Sequence, residues 1–173
     1  KDKNFARYAK SIVDSKMLEV CSTTLPQKVL PRVMKDPRYF PYLDQRIDKY
    51  KRRSDLAHEV FSKIPELIVH KTQGAFYFTV VFKEGVLNKG QSLPIENKEI
   101  LEIISPLLEK SSGDKKFCYY LLASRGICTV PLSTGFNSTH NGFRITLLEE
   151  DEDLFKDTIY RIADAIREYI GSS

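Results

Sequence analysis

An arginine stands in the middle of an apolar run, Phe143-Arg144-Ile145-Thr146-Leu147. Its planar, permanently charged fork suits bidentate capture of a carboxylate or a phosphate, and burying it unpaired is costly. In one reading Arg144 binds an anion at a cleft, because a polar loop rich in Ser, Thr, Asn and Gly (Pro131–Asn141) leads into the run. In the other it faces solvent from a half-exposed strand, because Phe143, Ile145 and Leu147 alternate with Arg144 and Thr146. The alternation by itself favours the second.

Other residue types able to do chemistry are dispersed. Lys49-Tyr50-Lys51-Arg52-Arg53 sets an aromatic inside a basic run, as a nucleic-acid patch would. At helical spacing those residues spread over several faces, so no nucleic-acid partner is expected. Glu149–Asp153 lacks the loop spacing of a calcium site and fits a helix start, where acids are favoured. Cys21, Cys118 and Cys128 make neither a CxxC pair nor a cluster with His58, His70 or His140. The sequence thus predicts no metal site, no disulfide framework and a reducing, cytoplasmic location. Cys128 reads as a small buried hydrophobe in a strand. There is no Ser/His/Asp set, P-loop or GxGxxG. Catalytic residues within this chain are therefore expected to be none.

These residues need a scaffold, and composition bounds it. The chain has 173 residues, 42% hydrophobic and 29% charged. That is too apolar for a disordered tail and enough for one core. No apolar run approaches a bilayer span, and no signal peptide opens the sequence. Residues 1–63 carry fifteen Lys and Arg against eight Asp and Glu, and the rest twelve against fifteen. The basic first third is read as a solvated helical surface.

The spacing predicts a helix over Asn4–Val20, with Phe5, Ala9, Ile12, Val13 and Met17 on one stripe, stopped by Cys21–Pro26. A second, short helix runs to about Met34, with a hydroxyl cap near Thr24 and Pro26 in its first turn. Tyr42–Ile64 is the most regular stretch: Leu43, Ile47, Tyr50, Ser54, Ala57, Phe61 and Ile64 recur by fours and threes, with charged residues including Arg53 on the other faces. Strands are expected at Leu67–His70, Ala75–Phe82, Ile127–Val130 and Phe143–Leu148. Helices are expected at Asn97–Leu108, frayed by Pro106, at Lys115–Ser124 and at Asp151–Ile170. Ser111–Asp114 reads as a loop and cap. This order of elements predicts an α+β fold, with a small, mostly antiparallel or mixed sheet covered by helices.

Three segments, in order, carry a resemblance. Gly74-Ala75-Phe76-Tyr77-Phe78 resembles the G-A-F-Y-x-F strand of class I/II, fold type I aminotransferases. Leu121–Pro131 (LLASRGICTVP) resembles their helix–Gly–strand–Pro segment. Gly142–Leu148 (GFRITLL) resembles their terminal strand, in the F-R-x-T-x-L form of alanine-aminotransferase-like members. Cys21–Pro37 is similar to the helix pair before the family's long interdomain helix. Where the family usually has Pro-Gly, this chain has Pro131-Leu132.

The resemblance implies a small domain preceded by a long interdomain helix. Residues 1–41 would join a large cofactor-binding domain, residues 42–64 form the interdomain helix, and residues 65–173 the substrate-closing domain. It implies a parent enzyme that uses pyridoxal phosphate to move an amino group between an amino acid and a 2-oxo acid, most often as a homodimer. Arg144 would hold the substrate α-carboxylate, and Gly74–Phe76 and the Pro131–Phe136 loop would approach it. The S-x-x-K lysine and the G-x-R phosphate turn of the family lie upstream of the matched region. Lys63, in Phe61-Ser62-Lys63, is not followed by G-x-R and reads as a surface lysine. The chain is thus expected as a C-terminal piece that neither binds the cofactor nor transaminates alone, with apolar faces of Asn4–Val20 and Tyr42–Ile64 incompletely covered. The alternative is a stand-alone binding or regulatory module with the same fold.

Overall fold

The computed structural model describes residues 3–17, 23–111 and 113–172. The expected end of the first helix and the Cys21-Ser22 stop lie outside the described residues, as does Ser112. The elements run α1 (Lys3–Met17), α2 (Thr24–Lys35), α3 (Tyr39–Phe61), β1 (Leu67–Val69), β2 (Tyr77–Phe82), α4 (Lys98–Glu109), α5 (Gly113–Arg125), β3 (Val130–Pro131), α6 (Leu132–Gly135), β4 (Gly142–Thr146) and α7 (Glu152–Gly171). The fold is α+β, as the order of sequence patterns predicts.

The chain divides into two compact units, Lys1–Gln45 and Arg46–Ser173, with the boundary inside α3. In the first unit the apolar residues of the described helices find little cover. Phe5 is 70% exposed, Ile12 53% and Met17 79%, and α2 has no buried residue. The hydroxyl cap expected near Thr24 is not made: Thr23 occupies the N-cap position without a side-chain hydrogen bond.

The second unit holds the core. Four strands form one antiparallel sheet in the order β1-β2-β4-β3. The pleat sends alternate residues to opposite faces. Phe78 pairs with Ile145 and Val80 with Phe143 on the inner face, and all four are buried. Tyr77 pairs with Thr146 and Thr79 with Arg144 on the outer face. Behind the inner face lie Ala57, Phe61 and Ile64 at the end of α3, Phe117 and Leu121 of α5, and Phe155, Ile159, Ile162 and Ile166 of α7.

The α3 stripe is covered only toward its C-terminal end: Ser54, Ala57 and Phe61 are buried, while Ile47 is 61% exposed. Arg53, placed by periodicity on a polar face, is buried instead. Its Nη1 donates to the Leu147 carbonyl at 2.7 Å, its guanidinium pairs with Glu152 at 3.2 Å, and it packs over the Phe155 ring. That correction has a simple cause: the chain leaving β4 crosses α3 and needs a donor for a carbonyl that the ladder no longer satisfies.

Helix starts follow local chemistry. Asn97 caps α4 through Glu99 N and Ile100 N, and Asp151 caps α7 through Asp153 N and Leu154 N, which accounts for the acidic run. Pro106 does not end α4, which continues to Glu109.

Candidate functional site

The outer face of the sheet carries a line of aromatic rings that ends on Arg144. β4 places Arg144 opposite Thr79 on one side and Val130 on the other. The guanidinium carbon lies 4.1 Å from the centre of the Tyr77 ring and 4.0 Å from that of the Phe136 ring. Tyr77 and Phe136 thus both lie within cation–π range of the fork. No described carboxylate pairs with Arg144. The residue is half-buried rather than solvent-facing: the alternation finds the right face of the sheet, and the rings then close on the arginine.

From Tyr77 the aromatic line continues to Phe76 at 4.5 Å and from Phe76 to Tyr50 of α3 at 6.5 Å. Phe76 and Tyr50 border a cavity of about 410 Å³ between α3 and the β1–β2 connection. Gly74 and Ala75 line it as well. Ala75 has a φ of 61°, a left-handed conformation that costs a non-glycine residue about 1 kcal/mol or more. The strand expected from Ala75 accordingly starts only at Tyr77. At the cavity rim Asp55 accepts ion pairs from Lys71 and Lys51, which hold its carboxyl down at about 2.

The second jaw over Arg144 comes from a segment expected as plain loop. Leu132–Gly135 forms the single turn α6, and Phe136 follows it, its N–H donating to the Leu132 carbonyl at 3.1 Å. Behind this turn sits Asp114, which is 0% exposed. Its Oδ2 accepts from the N–H of Ser133 at 2.9 Å and from that of Gly142 at 3.0 Å, and its Oδ1 from the Ser133 hydroxyl. Sequence reasoning missed Asp114, taking it as the end of a loop and cap, Ser111–Asp114. It sits in the first turn of α5, but nothing in the spacing announces its burial.

Gly142 is crowded by backbone. A Cβ there would meet the Val80 carbonyl oxygen at 2.3 Å and Leu132 Cδ1 at 2.7 Å. Gly142→Ala is therefore expected to cost about 1–3 kcal/mol in denaturant unfolding, the usual penalty for overpacking. Unchanged stability would mean that β2 and β4 part without cost.

In the basic run, Lys49 pairs with Glu150, Lys51 with Asp55 and Arg53 with Glu152, so three of its cations are engaged within the chain. Cys118 is buried, accepts from the Thr129 hydroxyl at 3.2 Å, and has its thiol pushed up to about 12 by burial, which leaves it unreactive. Cys128 is a correction: it is exposed and outside any strand, because β3 begins only at Val130. Both of these described thiols are free. Among the described residues no group of three or more His, Cys, Asp or Glu could hold a metal ion. No described helix is long and apolar enough to cross a membrane.

No protein-family model matches the chain. Among curated proteins it is 45% identical over 170 residues to an uncharacterized aminotransferase of Methanocaldococcus jannaschii, matching 98% of this chain and 39% of that protein. It is 28% identical to a probable aspartate/prephenate aminotransferase of Aquifex aeolicus, over 93% of this chain and 35% of that one. Among solved structures, the aspartate aminotransferase of Rhizobium meliloti superposes with a TM-score of 0.64 at 26% identity, over 90% of this chain and 34% of that one. The chain thus spans under two fifths of the length of each of these proteins. Through nearly all of its own length the chain is thus similar to aminotransferases, and its fold matches that of their small domain.

Proposed function

We propose that this chain is the substrate-closing segment of a pyridoxal-phosphate-dependent aminotransferase, and that Arg144 holds the α-carboxylate of the amino acid or 2-oxo acid. The observation that carries this reading is the state of the Arg144 side chain. The Tyr77 and Phe136 rings both lie about 4 Å from its guanidinium carbon, and no described carboxylate pairs with it. Rings stacked on its two faces would fix the plane and leave the edge for two parallel N–H···O bonds, the geometry a carboxylate matches. They would also keep water from the faces, which strengthens a pair at the edge.

The cofactor implied by the family needs an amine for a Schiff base and a carboxylate at its pyridine nitrogen. Two lysines of this chain with shifted ammonium groups do not fit. Lys63 is 63% exposed and paired with Glu59, and Lys51 is paired with Asp55; both pairings raise the ammonium pKa, the opposite of an activated amine. Pyridoxal phosphate would instead be held by a large domain joined to this chain, packed in part against the uncovered apolar residues of α1 and α2, in a homodimer located in the cytoplasm. This chain alone would not transaminate.

The test is to express the full-length protein and supply pyridoxal phosphate with a panel of amino acids and 2-oxo acids. Transfer of the amino group to at least one acceptor is expected by product analysis. A full-length protein that binds carboxylates through Arg144 but transfers nothing would instead be a binding module on the same fold.

A further inference from the structure

We propose that Asp114 is the positioning residue of the arginine clamp: through Ser133 and Gly142 its buried carboxylate sets where Phe136 lies over Arg144. The value of that placement for a bound carboxylate rests on the reading of Arg144 given above, but the placement itself does not.

A carboxylate that is 0% exposed is expensive unless donors converge on it. Here three do, and two of them are main-chain N–H groups at the roots of the two parts that must meet. Ser133 lies in α6, three residues before Phe136, and α6 is a closed turn in which both Phe136 N and Ser138 N donate to the Leu132 carbonyl. Holding Ser133 therefore holds Phe136. Gly142 lies in β4 two residues before Arg144, on the same face of the strand. One acceptor-only group thus ties the loop jaw to the strand that carries the arginine. The helix behind it is anchored too, since the Asp114 N–H donates to Asn141 Oδ1 at 3.3 Å. The other jaw is independent: Tyr77 is placed by the β2–β4 ladder, directly opposite Thr146. Loss of Asp114 should release Phe136 and leave Tyr77 where it is.

The test is the NMR signal of the Arg144 side chain in this chain, assigned by its loss in Arg144→Lys. Rings lying face-on shift its Nε–H and Cδ protons upfield. In Asp114→Ala the signal is expected to lose the contribution of Phe136 and keep that of Tyr77, matching Phe136→Leu. The double variant Asp114→Ala/Phe136→Leu is expected to add nothing further, the signature of two residues acting through one contact. Asp114→Asn should restore the wild-type shift: its oxygen can accept both N–H groups while its amide donates to the Ser133 hydroxyl.

A folded Asp114→Ala with an unchanged Arg144 signal, or a shift that adds to that of Phe136→Leu, overturns the proposal. If Asp114→Ala does not fold, Asp114→Ser decides, since its shorter side chain cannot bridge both N–H groups: a move toward the Phe136→Leu position supports the proposal, and no move overturns it. Failure of the carboxylate reading would show elsewhere, as unchanged kinetics of Arg144→Ala in the full-length protein, while the Arg144 signal of the unsubstituted chain keeps its ring shift and its response to Asp114→Ala.

Discussion

If Arg144 holds the substrate α-carboxylate as proposed, Arg144→Ala in the full-length protein is expected to lower kcat/KM by roughly 3–5 kcal/mol, about a hundredfold to several thousandfold, with KM rising and kcat falling together. The size follows from what is lost. A bidentate pair between a guanidinium and a carboxylate is two charge-assisted hydrogen bonds, and removing one partner strands the other charge in a site that excludes water. Both parameters would move because an α-carboxylate held there would be an anchor as well as a ligand, and a substrate held at one point fewer loses orientation at the reacting carbon. Arg144→Lys should recover only a small part of the loss. An ammonium keeps the charge but presents no fork, and it stacks less well between Tyr77 and Phe136. Steady-state kinetics on the two variants decide the matter, and wild-type values for Arg144→Ala would remove Arg144 from the site.

The face on which Arg144 stands was legible in the sequence, and its surroundings were not. Alternation along Phe143–Leu147 assigns inward and outward residues because a strand has a period of two, and the register of β2 against β4 bears that out. The family motifs mark the same strand together with Gly74–Phe76 and the Pro131–Phe136 loop, and the structure brings Phe76, Tyr77 and Phe136 into one line with Arg144. Local patterns end there. That Phe136 reaches across to the guanidinium depends on α6, a single turn too short to show a helical period. That Asp114 is buried depends on donors nineteen and twenty-eight residues away in the chain. Arg53 escapes the pattern for the same reason: the helical wheel of α3 places it among charges, whereas its partner is a carbonyl ninety-four residues on. Helix and strand type follow from spacing within a window, while burial of a polar residue follows from which distant segment needs its donor or acceptor.

Phe143→Ala is expected to cost about 3–5 kcal/mol of stability, the range for emptying a fully buried aromatic site. Phe143 is 0% exposed and touches rings from three other elements, Phe61 at 6.4 Å, Phe82 at 6.0 Å and Phe117 at 5.6 Å. These come from α3, β2 and α5, so the cavity opens where the helices meet the sheet and cannot collapse onto one neighbour. For a domain with about 5–15 kcal/mol in hand, that is a fifth or more of the total, and the melting temperature should fall by roughly 10 °C. A drop in the denaturant midpoint at unchanged m-value would measure it. A loss under about 1 kcal/mol would mean that the aromatic cluster does not hold the sheet to its helices. The same substitution tests how the core and the outer face communicate. Phe143 and Arg144 are consecutive, one pointing to each side of β4, and the pairing of Val80 with Phe143 sits beside that of Thr79 with Arg144. Phe143→Leu keeps most of the volume, and the β2–β4 ladder should then hold Arg144 between its rings while stability falls by a smaller amount. If the ring shift of Arg144 were lost in Phe143→Leu, the guanidinium would owe its place to the packing behind the sheet rather than to the ladder and to the Asp114 tie.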